Sequence, residues 1–341
     1  MTGATGFLGR AAAVRMAREP GWEVTGTGRS LEAGRSLAKL GIAFRQADLR
    51  QSEAIAEACA GQDYVIHCAA LSSPWGRYRD FHEANVGGTA NVIAGCLRHG
   101  VRKLVHISTP SVYFEYAHRL DLTERSPLAA KPANAYAATK RIAERLVTEA
   151  GSQGLNAVIL RPKAIFGPGD RTLFPRLLRV NERRGIPLVD GGQALLDLTY
   201  VEDVVDAIML ACRASDSGMA GSRVGGHEGD GTVAVFNISG GEPIRLIDAL
   251  GRLFGLLDLP LRTRNVPLRA ALAAGSAMEI AYRALPFLGP EPPFTRFTAG
   301  LLAYSQTFDI TQARSSLGYA PRVPVGDGLR QFAEWWRRMG R

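Results

Sequence analysis

Three glycines close to the amino terminus place the tightest constraint on what this chain can fold into. They lie in the stretch Thr2-Gly3-Ala4-Thr5-Gly6-Phe7-Leu8-Gly9, which runs directly into an amphipathic helix. Gly3 allows a tight turn, Gly6 lets the backbone approach a pyrophosphate, and Gly9 lets the helix pack closely on a strand. Backbone N–H groups at the start of the helix would then face the anion. The residues predicted to form this phosphate-binding turn are Gly3, Thr5, Gly6, Phe7, Leu8 and Gly9.

The segment before the turn is unusually short. A glycine turn of this kind normally follows a buried apolar strand, and only Met1 and Thr2 precede Gly3. A sheet without its central strand would expose the flanks of two neighbouring strands. We therefore expect the first strand to be truncated and the natural start of the chain to lie a few residues upstream.

Beyond the turn, predicted strands and helices alternate as far as residue 165. The predicted strands are 22–27, 43–46, 64–68, 103–107 and 157–160. This alternation is typical of an α/β fold of Rossmann type, with a doubly wound parallel sheet. We assign residues 1–165 to this domain and residues 166–341 to a small C-terminal substrate-binding cap. No clean linker separates the two, so we expect them to be interleaved. The Gly- and Ser-rich stretch 215–231 is predicted to be a surface loop.

The composition narrows the classes of partner. The chain has 341 residues, 46% of them hydrophobic, and a net charge of +9, which favours a phosphorylated cofactor, an acidic substrate or an anionic membrane surface. The basic residues are scattered and form no stripe with aromatic residues between them, which argues against nucleic acid. The four cysteines and six histidines lack paired or ligand spacing, so we expect neither disulfides nor a metal. The sequence shows no secretory signal, which favours a cytoplasmic location.

Residues at the predicted strand ends complete a dinucleotide site. An acidic residue after the strand 22–27 would bind the ribose 2′-hydroxyl of NAD. Gly28 stands there, and Arg29 offers a guanidinium to a 2′-phosphate, so we expect NADP(H) to be favoured over NAD(H). A solvated surface arginine is the alternative. Asp48 is placed to accept a hydrogen bond from the adenine amine or to cap the next helix. The other residues predicted to contact the cofactor are Ser30, Leu49, Ala69, Ala70, Asn85, Tyr136, Lys140, Pro162 and Ile165.

Thr109, Tyr136 and Lys140 are the predicted catalytic residues. Tyr136 and Lys140 are four residues apart and share one helical face. A free tyrosine has a pKa about three units too high for proton transfer near pH 7, and a lysine ammonium or an oxidised nicotinamide would favour the phenolate. The Thr109 hydroxyl can share the charge of a developing alkoxide. Residues predicted to contact the substrate are Trp75, Ser111 and Phe166, with local packing as the alternative for Trp75.

Over nearly its whole length the chain resembles the extended short-chain dehydrogenase/reductases. The resemblance rests on the glycine turn, on Asp48-Leu49 and Ser108-Thr109, and on Tyr136…Lys140 and Arg161-Pro162. In that family the hydroxyl residue at the position of Thr109 is catalytic. The resemblance implies an oxidoreductase that interconverts a keto and a hydroxyl group, and it also implies a homodimer.

Within that family the chain is similar to the 3β-hydroxysteroid dehydrogenase branch, and above all to the bacterial 2-alkyl-3-oxoalkanoate reductases. The stretches that carry this likeness are Trp75-Gly76, Ala84-Asn85-Val86, Ser108-Thr109-Pro110-Ser111-Val112, Ala135-Tyr136-Ala137-Ala138-Thr139-Lys140 and Glu291-Pro292-Pro293-Phe294-Thr295-Arg296-Phe297. It implies an apolar, acyl substrate that is reduced at a β-keto group.

Other functions stay open at this point. A sterol dehydrogenase would share most of these stretches, and a nucleotide-sugar epimerase would share the site. A 4,6-dehydratase would carry an Asp-Glu pair where Pro110-Ser111 stand, and a non-catalytic NADP sensor would lack the Tyr–Lys pair. The apolar stretch 268–288 is interrupted by charged residues and is too polar to span a bilayer. It is predicted to cover an apolar substrate pocket, to lie on a membrane surface, or to pack in the core.

Overall fold

The computed structural model describes residues 1–215 and 231–340, so the predicted loop 215–231 falls outside the described residues apart from its ends. The strands are β1 (Thr25–Gly28), β2 (Ala43–Gln46), β3 (Tyr64–His67), β4 (Lys103–Ile107), β5 (Arg119–Leu122), β6 (Ala157–Pro162), β7 (Ile165–Phe166), β8 (Ile186–Val189), β9 (Leu195–Leu196), β10 (Thr199–Tyr200), β11 (Val233–Ile238), β12 (Ile244–Arg245), β13 (Thr263–Val266) and β14 (Gln306–Phe308).

The helices follow the same chain order. They are α1 (Phe7–Met16), α2 (Leu31–Ala38), α3 (Ser52–Cys59), α4 (Tyr78–Phe81), α5 (Gly88–Arg98), α6 (Ala135–Gly151), α7 (Leu173–Arg183), α8 (Val201–Arg213), α9 (Leu246–Leu256), α10 (Leu268–Ala284), α11 (Arg296–Ala303), α12 (Thr311–Leu317) and α13 (Val325–Arg338). A π-helical turn, His82–Gly87, joins α4 to α5. No helix in these two ranges is long and apolar enough to cross a membrane.

A parallel sheet forms the centre of the molecule. Its strands β3, β4, β6 and β11 are hydrogen-bonded neighbours in that order, and every residue of β4, β6 and β11 is buried. Helices α1, α8 and α12 pack on one face, and α3, α5 and α6 pack on the other. Because both faces of the sheet are covered, its strands are largely apolar runs in the sequence, and for this reason β3, β4 and β6 could be predicted.

Met1 and Thr2 connect this sheet to the parallel pair β1–β2. The Thr27 N–H donates to the Met1 carbonyl at 2.8 Å, and the Thr2 N–H donates to the Ile66 carbonyl at 2.9 Å. Across the molecule the order is therefore β2, β1, Met1–Thr2, β3, β4, β6 and β11. The predicted doubly wound Rossmann sheet is confirmed, and its first strand is present here only as this bridge.

The carboxyl-terminal half builds a second layer over the carboxyl ends of the main strands. One of its small sheets pairs β8 with β13, and another joins β12, β9 and β14 to β5, a strand from the amino-terminal half. Its core is rich in aromatic side chains such as Phe174 and Phe332. The same half also supplies β11 to the main sheet and α8 and α12 to its face. These three chain segments from the carboxyl-terminal half thus belong physically to the Rossmann layer.

Several element boundaries differ from the predictions. The strand predicted at 22–27 begins only at Thr25, and the strand predicted at 157–160 extends to Pro162. The two-residue strand β7 and the three-residue strand β14 were not predicted, because they are too short to show a two-residue alternation.

Candidate active site

The glycine turn has the geometry that a pyrophosphate requires. Gly3 has φ +68°, and a Cβ on it would lie 2.8 Å from the Ala69 nitrogen. A Cβ on Gly9 would lie 2.2 Å from the Gly3 carbonyl oxygen, so both positions exclude a side chain. Gly6 is the N-cap of α1 and offers no side-chain cap to the first-turn N–H groups. These N–H groups at the positive end of the helix dipole fit a bound anion.

Arg29 lies at the carboxyl end of β1, beside this turn. Its side chain is exposed, and its carbonyl accepts a hydrogen bond from Gln46 at 2.8 Å. Ser30 caps α2, because its hydroxyl accepts from the Ala33 N–H at 3.2 Å. An exposed guanidinium is therefore available next to the expected position of an adenosine ribose.

Asp48 forms an exposed ion pair with Arg50. The Arg50 guanidinium lies 2.6 Å from its carboxylate and lowers the pKa of Asp48 to about 2. Asp48 does not cap the following helix, because the N-cap of α3 is Gln51. The carboxylate remains partly exposed and ionised, and its contact to an adenine amine stays a prediction.

Asn85 ties the loop after β3 to α6. Its side-chain oxygen accepts from the Leu71 N–H at 2.7 Å, and its amide donates to the Leu71 carbonyl and to Thr139 Oγ1, both at 3.0 Å. Asn85 is almost wholly buried in the π-helical turn. It was predicted to contact the cofactor, and in this structure it orients the loop that starts at Ala69 and Ala70.

Tyr136 and Thr109 lie side by side on the cavity wall, and the Thr109 hydroxyl donates to Ser111 Oγ at 3.1 Å. Asn134 caps α6 and places Tyr136 in its first turn, while Thr109 begins the 3₁₀ turn after β4. Burial raises the pKa of Tyr136 above its ordinary value, and the nearby Thr109 hydroxyl acts in the opposite direction. The low pKa predicted for Tyr136 is not found in the chain alone. Its phenol is protonated at neutral pH and can act as a proton donor.

Lys140 is held by two partners on β4. Its Nζ donates to the Ile107 carbonyl at 2.7 Å and to His106 Nε2 at 3.1 Å, which leaves one of its three N–H bonds for a ligand. Burial lowers the pKa of Lys140 to about 8, so the ammonium dominates at pH 7. Burial and Lys140 also lower the pKa of His106 well below 6.5, so its neutral ring accepts the bond. Sequence reasoning missed His106, because contact between α6 and β4 is a tertiary feature.

An apolar cavity of about 650 Å³ opens beside these residues. Thr109, Ser111 and Tyr136 form part of its wall, together with Pro162 and Ile165 at the end of β6. Most of the other lining residues are apolar and come from the second layer: Leu173, Phe174, Leu177, Leu250, Ala271, Ala274, Met278, Phe297 and Leu301. Helix α10, which begins the stretch 268–288, therefore covers the cavity. This was one of the three alternatives predicted for that stretch.

Of the three predicted substrate contacts, only Ser111 lines the cavity. Phe166 is fully buried in the core, where it packs edge-on against Phe174 and Tyr200 with ring centroids 5.5 and 5.8 Å away. Trp75 is absent from the described lining, and the Arg283 guanidinium lies over its ring at 5.1 Å. The local-packing alternative describes Trp75 better, and Phe166 is too deep to reach a ligand.

A glycine turn at a helix N-terminus, a cluster of Tyr136, Thr109 and Lys140, and an apolar cavity on a doubly wound sheet are the features expected of an oxidoreductase. The chain belongs to the NAD dependent epimerase/dehydratase family, whose model matches residues 1–224. It is therefore an NAD(P)-dependent enzyme of the extended short-chain dehydrogenase/reductase type that acts on a hydroxyl or keto group. The family resemblance found in the sequence is confirmed.

Particular relatives sharpen this assignment. The chain is 34% identical over 334 residues to 2-alkyl-3-oxoalkanoate reductase of Stenotrophomonas maltophilia (strain K279a), with 97% of each chain covered. It is 28% identical over 306 residues to human sterol-4-alpha-carboxylate 3-dehydrogenase, decarboxylating, with 88% of this chain and 79% of the relative covered. UDP-glucuronic acid 4-epimerase from Bacillus cereus, solved in complex with NAD, shares the fold, with a TM-score of 0.75 at 21% identity and coverage of 100% and 98%.

Proposed function

We propose that this enzyme reduces the 3-keto group of a 2-alkyl-3-oxoalkanoate, a β-keto acid, to the 3-hydroxy acid. The observation that carries the proposal is the apolar cavity of about 650 Å³ that ends at Thr109 and Tyr136. Such a cavity suits alkyl chains and gives a nucleotide sugar few polar partners. The name of the S. maltophilia relative supports the same substrate class.

The residues of the chain divide the chemistry between them. When bound, the reduced nicotinamide would supply the hydride for the keto carbon. Tyr136, protonated at neutral pH, donates the proton that the resulting alkoxide needs, and Thr109 shares the charge while it develops. Lys140 uses its remaining N–H to hold the cofactor ribose. Gly3, Gly6 and Gly9 hold the pyrophosphate at the start of α1.

NADP(H) is the proposed form of the cofactor, because Arg29 is exposed where a 2′-phosphate would lie. Arg29→Ala is expected to weaken NADPH binding about 10-fold or more, since a charge-assisted hydrogen bond is lost, and to change NADH binding less than about 2-fold. Titration of both cofactors by fluorescence measures the two dissociation constants. Arg35→Ala, a change at an exposed arginine of α2, is the matched control. Equal weakening of NADPH and NADH would remove the basis for this preference.

The substrate class is tested by NADPH oxidation with three compounds side by side: a 2-alkyl-3-oxoalkanoate, a 3-keto-steroid and a UDP-sugar. We expect oxidation with the first compound. Oxidation with the steroid alone would move the assignment to sterol metabolism. Epimerisation of the UDP-sugar without net NADPH consumption would make the enzyme an epimerase.

A further inference from the structure

We propose that the Lys163 ammonium binds the carboxylate of the β-keto acid and so selects acids over neutral ketones. This inference rests on the proposed function and deepens it by giving the substrate a polar anchor. In a 2-alkyl-3-oxoalkanoate the carboxylate is two bonds from the keto carbon. The name of the human relative likewise places a carboxylate on the carbon next to the one dehydrogenated. An anchor for this group must therefore lie close to Thr109 and Tyr136.

The register of the main sheet places Lys163 at the right position. Strands β4 and β6 pair in parallel with Ile107 opposite Leu160, and the Ser108 N–H donates to the Leu160 carbonyl at 2.7 Å. Continuing this residue-by-residue pairing past the ends of the two strands places Lys163 one residue beyond the residue that lies opposite Thr109. Neighbouring strands are about 4.8 Å apart, so Lys163 and Thr109 belong to the same end of the site. Both residues line the cavity.

The charge of Lys163 is not neutralised by an ion pair within the described part of the chain. Its Nζ donates to the neutral Gln306 Oε1 at 2.6 Å and lies 5.6 Å from the centre of the Phe308 ring. Burial lowers the pKa of Lys163 to about 8, and the charge of Asp197 opposes this shift, so the group is still cationic at pH 7. An ammonium has three N–H bonds, and two remain after the bond to Gln306. Asp197 partly offsets the cost of this half-buried cation from beyond ion-pair distance, and the substrate carboxylate would supply an anion in direct contact.

The other cations of the cavity wall are less suitable. Arg176 already pairs with Glu291, at 3.1 Å, and also donates to the Pro293 carbonyl. Arg184 and Arg264 are exposed and belong to the second layer, after α7 and in β13. Among the described residues of the wall, Lys163 is the cation that directly follows a strand of the main sheet.

The test compares a 2-alkyl-3-hydroxyalkanoate with its methyl ester, which has the same shape without the charge. Both are oxidised with NADP⁺, because a β-keto acid loses carbon dioxide spontaneously and the hydroxy acid is stable. During oxidation the C3–H bond breaks, its hydride passes to NADP⁺, and the hydroxyl proton leaves through Tyr136. We expect the wild-type enzyme to favour the acid about 10- to 100-fold in kcat/KM.

Lys163→Met is expected to remove this preference by lowering kcat/KM for the acid while the value for the ester stays within about 3-fold. Lys163→Arg, which keeps the charge, is expected to retain most of the preference. Lys131→Met, the same change at an exposed lysine outside the cavity lining, is the control. NADPH binding shows that each variant is folded.

The outcomes separate this inference from the proposed function. If wild-type enzyme oxidises acid and ester equally well, or if Lys163→Met lowers both equally, Lys163 is a structural residue and the inference fails while the reductase assignment stands. If wild-type enzyme oxidises neither compound, the proposed function itself fails and the inference fails with it. If Lys163→Met does not fold, the acid preference of the wild type and of Lys163→Arg decides the question.

Discussion

Tyr136→Phe is expected to lower kcat by about 10²- to 10⁴-fold, the usual contribution of a positioned general acid. The phenylalanine ring keeps the shape of the site but loses the hydroxyl that lies beside Thr109 on the cavity wall. Tyr136 is the group that we propose protonates the alkoxide, so its loss removes the general acid. Single-turnover oxidation of NADPH with the β-keto acid measures the loss. The dissociation constant for NADPH should stay within about 2-fold, because the glycine turn and Lys140 are intact.

Tyr78→Phe provides the matched control, because Tyr78 is 51% exposed and lies outside the cavity lining. We expect it to be fully active. If Tyr136→Phe keeps more than about a tenth of wild-type turnover, another group donates the proton and the role proposed for Tyr136 is wrong.

Arg161→Leu is expected to cost about 3–5 kcal/mol of folding free energy. Arg161 and Glu144 form a buried pair with two hydrogen bonds, at 2.8 and 2.6 Å. Arg161 also donates to the Tyr113 hydroxyl, and Ser108 donates to Glu144. Without the guanidinium the Glu144 carboxylate would be a buried charge without its cation. The urea midpoint of unfolding, measured by circular dichroism, reports the change.

Two controls make this prediction specific. The double variant Arg161→Leu with Glu144→Leu should recover most of the lost stability, because it leaves no buried unpaired charge. Arg98→Leu breaks the exposed pair with Glu53, whose side chains are 57% and 68% exposed, and should change stability by about 1 kcal/mol or less. A cost for Arg161→Leu as small as that of Arg98→Leu would mean that the buried pair contributes nothing to folding.

The parts of the fold that were predicted from sequence are those whose physical cause is local. Strands β4 and β6 were predicted because burial on both faces requires apolar runs, and the turn at Gly3 because only glycine fits it. The strands β8, β13 and β14 were missed. Helices α10 and α11 pack on β8 and β13, and β13 and β14 carry no alternating pattern of their own.

The residues of the site also divide into those predictable from local sequence and those that depend on tertiary contacts. Tyr136 and Lys140 share a helical face by spacing alone, and the structure joins them to Thr109 and His106 through contacts between distant segments. Phe166 was misassigned because an aromatic residue after β6 looks the same in sequence whether it faces a cavity or the core. Lys163 was overlooked because its significance depends on β14, more than 140 residues further along the chain, where Gln306 holds its ammonium.

The central claim, net transfer of a hydride to the keto carbon of a β-keto acid, is tested most directly by isotope tracing. Wild-type enzyme is incubated with a 2-alkyl-3-oxoalkanoate and NADPH deuterated at C4 of the nicotinamide, on the face that is transferred, and the product is analysed by mass spectrometry and NMR. Our account predicts one deuterium per product molecule, located at C3 of the 3-hydroxy acid. A hydroxy acid without deuterium from NADPH labelled on either face, or no turnover of any β-keto acid, would contradict it.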